Sequence, residues 1–194
     1  AHFLAMVECM DENVGRIVQT LEDLKIRDNT LIIFVSDNGG FQIRGSKEKG
    51  EYHRILASWN YPLREGKGTL YEGGLRVPTI FNWPSRIEGG RISDEMIIST
   101  DIFPTIMQLT GINYDEEIEG VNLWPHLTKN ASIDRETLYW HYPHYHRTNP
   151  GAVIRDGDYK LIRYFENERT ELYNLLSDLG EKNVLSNQIT QKSA

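Results

Sequence analysis

The sequence of 194 residues is 39% hydrophobic and 25% charged, which is ordinary for a globular chain. Its formal net charge of −7 argues against a general nucleic-acid binder, because such a surface has to offset phosphate charge. No apolar run approaches the roughly 20 residues that a membrane-spanning helix needs, and the single cysteine, Cys9, excludes an intrachain disulfide.

The first segments have the pattern of an α/β unit. Apolar residues recur at steps of three and four from Phe3 to Leu24, which predicts an amphipathic helix ending near Lys25. The run Thr30–Ser36 is continuous and rich in β-branched residues, as in a strand buried on both faces of a sheet. The motif Asp-Asn-Gly-Gly at 37–40 follows at the carboxyl end of that strand, where open α/β sheets place ligands.

The middle of the chain is less regular. Residues 41–70 form a polar, glycine-rich stretch, and a loop of this length in a compact domain is usually functional or mobile. Val77–Trp83 predicts a strand near a sheet edge, and Ser93–Thr100 predicts another short strand. Asp101–Leu109 predicts a helix with an aspartate at its start, which Gly111 would terminate.

Residues 112–135 have the composition of a connector. Beyond them the sequence alternates between apolar and polar residues, which predicts an antiparallel sheet of four strands and then a polar tail. The four segments are Thr137–Tyr142, Ala152–Arg155, Tyr159–Tyr164 and Glu171–Leu175. Gly157, between the second and the third, indicates a hairpin turn.

Asp37 and Asn38 are adjacent oxygen donors at a strand end. Hard divalent cations such as calcium or magnesium prefer carboxylate and amide oxygens, and the two following glycines permit close approach. Two donors do not complete a calcium site, for which six to eight oxygens are typical. An Asx turn that closes the strand is the alternative interpretation.

Lys67 stands between two glycines in the segment from Arg64 to Pro78. A nucleotide phosphate loop needs Ser or Thr directly after Gly-Lys, and Gly68 occupies that place, so we reject this motif. A lysine in an open backbone is a mobile point charge suited to an oxyanion. A solvated surface lysine is the alternative. We expect Glu72 and Arg76 to shape the lysine loop, with an ion pair between them as one hypothesis.

The two glycine-rich motifs occur in a fixed order: Asp-Asn-Gly-Gly at 37–40, a long loop, then Pro-Leu-Arg-x-Gly-Lys-x-Thr-x-Tyr-Glu-Gly-Gly-x-Arg-Val-Pro at 62–78. This order resembles the arylsulfatase family of the alkaline-phosphatase-like superfamily. Other segments that are similar to the family follow in the right order: Met10–Gly15, Thr100–Thr105, Ile154–Leu161 and Glu171–Leu175.

The resemblance implies the carboxyl-terminal half of an alkaline-phosphatase-like α/β/α sandwich at 1–112, and a connector with a small antiparallel β subdomain and tail at 113–194. It also implies hydrolysis of sulfate esters, with carbohydrate sulfates as the substrate class. Asp37 and Asn38 take the role of calcium ligands, with magnesium as the alternative ion. Lys67 becomes the catalytic residue that binds the sulfate group.

The nucleophile of this family is a formylglycine made from the first residue of a Cys/Ser-x-Pro-x-Arg motif, which this sequence lacks. Cys9 is followed by Met-Asp-Glu and lies on a predicted helix, so we interpret it as a small buried apolar residue. The chain alone should therefore be inactive. By analogy with the family we expect a periplasmic, secreted or lysosomal location.

A histidine-rich stretch at 139–146 indicates a strand that leads into a substrate-side loop, with plain structural packing and a transition-metal site as the alternatives. We assign His144 and His146 to substrate binding by analogy with the family. The expected partners are a sulfated small molecule or glycan, with self-association through an exposed sheet edge. Two rival interpretations stay open: a phosphate or phosphonate ester hydrolase, and a non-catalytic binding or structural module.

Overall fold

The computed structural model describes residues 2–41, 60–113 and 117–185. The chain begins with helix α1 (His2–Asp23), which confirms the predicted helix. The apolar stripe of α1 is largely exposed, and Cys9 is exposed too, so the expected burial of the cysteine is wrong. The reason is that no other element in the described ranges packs closely along this helix. None of the helices described is long and apolar enough to span a membrane.

A short sheet follows α1. Strand β1 (Ile32–Val35) is hydrogen-bonded to β2 (Thr79–Asn82), and a 3-10 turn at Arg27–Asn29 precedes β1. The indole Nε1 of Trp83 donates to the Asp28 carbonyl oxygen at 2.8 Å, which ties this turn to the end of β2. β1 is partly exposed rather than buried on both faces, because no described helix packs closely on it.

Helix α2 (Glu72–Leu75) precedes β2, and α3 (Ile102–Thr110) and α4 (Trp124–Lys129) follow it. Gly111 ends α3 as predicted, with φ 69° and its N–H donating to Met107. The predicted connector contains α4, a helix that the composition did not reveal.

The buried carboxylate of Asp101 organises the segments around α3. It accepts hydrogen bonds from the backbone N–H of Ile98 at 2.8 Å and of Val121 at 2.9 Å, and from the Arg135 guanidinium at 2.7 Å. The Ile98 N–H thus donates to a side chain, whereas in a β-sheet it would donate to a carbonyl oxygen of a neighbouring strand. The strand predicted at Ser93–Thr100 is therefore wrong, and a 3-10 turn at Ser99–Asp101 ends this segment. The carboxylate does not cap α3.

The antiparallel sheet has the predicted four strands in sequence order. They are β3 (Thr137–Tyr142), β4 (Gly151–Asp156), β5 (Tyr159–Tyr164) and β6 (Thr170–Asn174). Asp156 pairs with Tyr159, so Gly157 lies in a two-residue turn, and its φ of 52° explains the preference for glycine there.

One face of this sheet covers a buried cluster that also includes two residues from the segment after Lys67. The cluster consists of Leu70, Tyr71, Val153, Ile162, Tyr164, Tyr173 and Leu175. The segment 66–71 is thus packed on the sheet, which matters for the site described below.

The chain divides into two compact units. One comprises Ala1–Ala5, Val35–Thr79 and Glu136–Ala194, and it contains the antiparallel sheet and the segment of Lys67. The other comprises Met6–Phe34 and Ile80–Arg135, and it contains α3, α4 and most of β1 and β2. The domain boundary near residue 112 stays a prediction. Residues 42–59 of the predicted long loop and most of the predicted polar tail lie outside the described residues.

Candidate functional site

A turn follows β1 and presents the two predicted metal ligands. The Ser36 hydroxyl donates to the carbonyl oxygen of Asn38 at 2.8 Å, and the Ser36 N–H donates to the Pro78 carbonyl oxygen at 3.3 Å. The Asp37 side chain is exposed and Asn38 is partly buried. The turn is therefore fixed by its own hydrogen bonds, while the carboxylate remains accessible.

The donor atoms of this turn fit an oxygen-binding cation in part. The Nδ2 of Asn38 donates to the Gly39 carbonyl oxygen at 3.1 Å, which leaves Oδ1 as the atom for a cation next to the Asp37 carboxylate. Across the residues that the structure describes, no group of three or more His, Cys, Asp or Glu side chains could hold a metal ion. The pair can supply two ligands of a calcium or magnesium shell, and further ligands have to come from elsewhere.

Backbone contacts between glycines bring this turn to the segment of Lys67. The Gly39 N–H donates to Gly74 at 3.0 Å, and the Lys67 N–H donates to Gly40 at 3.1 Å. A Cβ atom on Gly39 would overlap the carbonyl oxygen of Gly73, so only glycine permits this approach. The structure therefore places Asp37, Asn38 and Lys67 on two segments that are joined by backbone hydrogen bonds.

Asn60 holds the two segments together and was missed by the sequence analysis. Its Nδ2 lies 3.1 Å from the carbonyl oxygen of Gly40, 2.9 Å from that of Glu65 and 3.4 Å from that of Gly73. A single amide in an irregular stretch carries no pattern that distinguishes this role from a solvated one.

The segment of Lys67 is a closed loop. The Gly73 N–H donates to the Arg64 carbonyl oxygen at 2.8 Å, and the Thr69 hydroxyl donates to the Gly66 carbonyl oxygen at 2.8 Å. The Lys67 side chain itself is exposed, and in the described ranges no carboxylate forms an ion pair with it. The backbone is thus fixed while the ammonium remains available to an anion.

Both ends of this loop are anchored to the antiparallel sheet. The Arg64 guanidinium donates to the Tyr173 hydroxyl at 3.0 Å and to the Glu181 carbonyl oxygen at 2.7 Å, and its Cζ lies 3.9 Å from the centroid of the Tyr71 ring. The Tyr71 hydroxyl donates to Glu171 at 2.9 Å. Burial, with this carboxylate nearby, raises the pKa of Tyr71, so its hydroxyl stays a donor at neutral pH.

A buried ionic cluster holds the start of α2. The Lys160 ammonium lies 3.0 Å from the Glu72 carboxylate and 2.8 Å from the Glu181 carboxylate, and the Glu72 N–H donates to Glu181 at 2.7 Å. Arg155 lies 3.9 Å from Glu72. Because Glu72 pairs with these two cations, the hypothesis of a Glu72–Arg76 ion pair is wrong. Burial raises the pKa of Glu181, although Lys160 opposes this.

The two predicted substrate-binding histidines lie in different surroundings. The His146 ring lies where a Cβ atom of Gly68 would be, directly beside Lys67, and Gly68 has the φ of 80° that suits glycine. His144 packs its ring against the edge of Tyr142, with ring centroids 5.6 Å apart. The structure thus brings His146, but not His144, to the lysine segment within the described residues.

Two family models match the chain. The model "Sulfatase" matches residues 1–112, and the model "N-sulphoglucosamine sulphohydrolase, C-terminal" matches residues 66–193. The chain belongs to the sulfatase family. The resemblance inferred from the sequence is confirmed, and so is the fold class, because the sulfatase chain shares its fold with the solved sulfatases described below.

Curated relatives extend beyond this sulfatase chain. A sulfatase of Formosa agariphila is 36% identical over all of the chain, which spans 37% of that relative. The N-acetylglucosamine-6-O-sulfatase of Bacteroides thetaiotaomicron is 30% identical over 93% of the chain, which spans 31% of it. Human N-acetylgalactosamine-6-sulfatase is 34% identical over 68% of the chain, which spans 24% of it. The chain thus spans about a quarter to two fifths of these relatives.

Solved structures agree with this relationship. Ps i-CgsB in complex with k-i-k-neocarrahexaose superposes with a TM-score of 0.78 at 30% identity, covering 95% of the sulfatase chain and 38% of that structure. BT4656 in complex with its substrate D-glucosamine-2-N,6-O-disulfate gives a TM-score of 0.76 at 29% identity, covering 98% and 37%. A phosphonate monoester hydrolase from Silicibacter pomeroyi, at 21% identity and a TM-score of 0.70, shares the fold alone.

Proposed function

We propose that the chain is the carboxyl-terminal part of an enzyme that hydrolyses sulfate esters of carbohydrates. The observation that supports this is the hydrogen bond from the Lys67 N–H to Gly40 at 3.1 Å, because it joins the lysine segment to the turn of Asp37 and Asn38. Cleavage of a sulfate ester builds negative charge on the bridging and leaving oxygens. A lysine whose backbone is held beside that turn can bring its ammonium to these oxygens and stabilise the charge.

Asp37 and Asn38 would hold the divalent cation in this proposal, with calcium as the first choice and magnesium as the alternative. Such a cation supplies Lewis-acid stabilisation of the sulfate oxygens. The turn contributes by fixing both donors next to each other, since Ser36 and Asn38 hydrogen-bond within it. The formylglycine nucleophile, for which this sequence has no motif, would come from another part of the enzyme, and further metal ligands would complete the shell.

A carbohydrate substrate is supported by the surroundings of Lys67 and by the relatives. The exposed ring of His146 lies beside Gly68, where it can contact the sugar that carries the sulfate. The assignment of His144 to substrate binding rests on the analogy with the family alone. Two similar structures were solved in complex with a neocarrahexaose and with a glucosamine disulfate.

Substitution Lys67→Met in the full-length protein tests the proposal. With 4-nitrophenyl sulfate and with sulfated monosaccharides, we expect kcat/KM to fall by about 10²- to 10³-fold, which is the usual cost of removing one charge-stabilising group. The exposed Lys129, at the end of α4, provides the matched control. Lys129→Met removes the same charge and should leave kcat/KM within about twofold.

A comparison of hydrolysis rates between ester classes distinguishes the proposal from the rival chemistry. A full-length protein that hydrolyses phosphate or phosphonate monoesters faster than sulfate esters would contradict the proposal in favour of the related hydrolases. A full-length protein that cleaves neither ester class would instead indicate a non-catalytic binding or structural module.

A further inference from the structure

The strip His146–Thr148 runs along the lysine segment and carries a cation that the sequence analysis did not single out. The Arg147 N–H donates to the carbonyl oxygen of Gly68 at 3.3 Å. The ring of His146 covers the Cα of the same glycine. The backbone of Arg147 is therefore held against Gly68, the residue that directly follows Lys67.

The side chain of Arg147 extends to the turn that follows β1. Its Cζ lies 4.7 Å from the centroid of the Phe41 ring, and Phe41 directly follows Gly40, the residue that accepts the Lys67 N–H. Stacking uses the face of a guanidinium, so its N–H groups at the edge can still pair with two oxygens of an oxyanion in a forked geometry. The stacked ring thus fixes the plane in which those donors point.

Two neighbouring polar atoms in this strip are buried without a hydrogen-bond partner: Nη1 of Arg147 and Oγ1 of Thr148. A buried cationic donor without a partner is costly, and native proteins rarely leave one unsatisfied. In the described part of the chain, no carboxylate forms an ion pair with Arg147 or with Lys67. Within the described residues, the site therefore has two cations on adjoining segments that no carboxylate neutralises.

We propose that Arg147, with Thr148, binds a second anionic group of the substrate, distinct from the sulfate ester that Lys67 holds. This inference rests on the proposed function and adds a substrate class to it: sugars that carry at least two anionic groups. The second group is a sulfate or a carboxylate, since the guanidinium edge pairs with both. The hydroxyl of Thr148 adds one hydrogen bond to the same group.

The test compares sugars that differ by one anionic group. The full-length protein keeps its metal, and the 6-O-sulfate ester of each probe is replaced by a non-hydrolysable 6-sulfonate, so that no turnover accompanies binding when the affinities are measured by calorimetry. The probes are the 6-sulfonate analogues of N-acetyl-D-glucosamine 6-O-sulfate, of D-glucosamine-2-N,6-O-disulfate and of a 6-O-sulfated disaccharide with a uronate carboxylate; the first is the monosulfate. We expect the wild-type protein to bind at least one of the two dianionic probes about tenfold more tightly than the monosulfate.

Arg147→Met should remove that preference and change the affinity for the monosulfate by no more than about twofold. Arg147→Lys keeps the charge without the fork and should retain part of the preference. Arg86→Met is the matched control, because Arg86 also stacks on an aromatic ring, with its Cζ 5.6 Å from the Trp83 centroid. If Arg147→Met does not fold, Arg147→Lys and Thr148→Val decide by the same ratio.

Equal affinities of the wild-type protein for all three probes would overturn the inference, and so would an equal loss for the monosulfate and the dianionic probes in Arg147→Met. Either result leaves the proposed sulfatase activity intact. Failure of the proposed activity shows separately, as an absence of sulfate ester hydrolysis by the same metal-loaded protein. The probe that loses most in the variant identifies the second group as sulfate or as carboxylate.

Discussion

Lys160 and Glu72 form an ion pair of 3.0 Å whose lysine is completely buried in the antiparallel sheet. Glu72 begins the short helix α2, five positions after Lys67. Glu181, which follows the last strand of the sheet in the chain, completes the cluster. The pair therefore connects strand β5 to the segment that presents the candidate sulfate-binding lysine. Its stability matters for the site as well as for the fold.

Lys160→Met should destabilise the protein by about 3–5 kcal/mol, because it leaves the buried carboxylates of Glu72 and Glu181 without their cation. Arg163→Met is the control on the same strand, since the Arg163–Glu168 pair has side chains that are 60% and 80% exposed. That change should cost no more than about 1 kcal/mol. Urea denaturation measures both, and similar costs for the two variants would contradict the assigned role of Lys160.

The raised pKa of Glu181 predicts a pH dependence of stability. Burial raises this pKa above its ordinary value of 4.5, so the folded protein holds the proton more strongly than the unfolded chain does. The corresponding stability is fully present below pH 4.5 and is lost as the pH rises through the raised pKa. The free energy of unfolding of the wild type, minus that of Glu181→Gln, should therefore decrease as pH rises. A difference that does not vary with pH would refute this.

Gly39→Ala should be strongly unfavourable, because the added Cβ atom would overlap the carbonyl oxygen of Gly73. We expect the free energy of unfolding to fall by about 1–3 kcal/mol. Catalysis should weaken too, since the turn of Asp37 and Asn38 has to move away from Lys67. Gly15→Ala in α1 is the matched control, since nothing lies within 4 Å of its added Cβ. That variant should gain up to about 1 kcal/mol. Thermal unfolding of the two variants provides the comparison.

Self-association of the isolated chain is expected from the exposed apolar face of α1. Met10 is 48% and Ile17 59% exposed on that face. An unpartnered apolar surface of this kind favours association in water. Light scattering should detect oligomers, and a double substitution of Met10 and Ile17 by lysine should reduce them. A stable monomer of the unsubstituted chain in dilute solution would show that the face does not drive association.

The antiparallel sheet could be predicted because its pattern is local. Alternation identified all four strands to within a residue at each end, and Gly157 marked the turn. The same alternation places Lys160 on the face of Ile162 and Tyr164, which are also buried. Its burial therefore had a signal, but its partner did not, since Glu72 lies 88 positions away.

The candidate site could be predicted only where short motifs carry it. Asp37, Asn38 and Lys67 stand in such motifs, and the structure joins their segments, while their chemical roles stay predictions. Asn60 and Arg147 escaped notice because each acts through contacts between segments distant in sequence. The same limitation explains the incorrect strand at 93–100, where the side chain of Asp101 replaces a strand partner.

Asp101 has a further consequence for how its unit assembles. One buried carboxylate satisfies donors from Ile98, Val121 and Arg135, and each of these belongs to a stretch without a strand of its own to stabilise it. Desolvating the charge is favourable only when all the donors are in place. The three stretches should therefore become ordered cooperatively, and local opening at one of them should release the others.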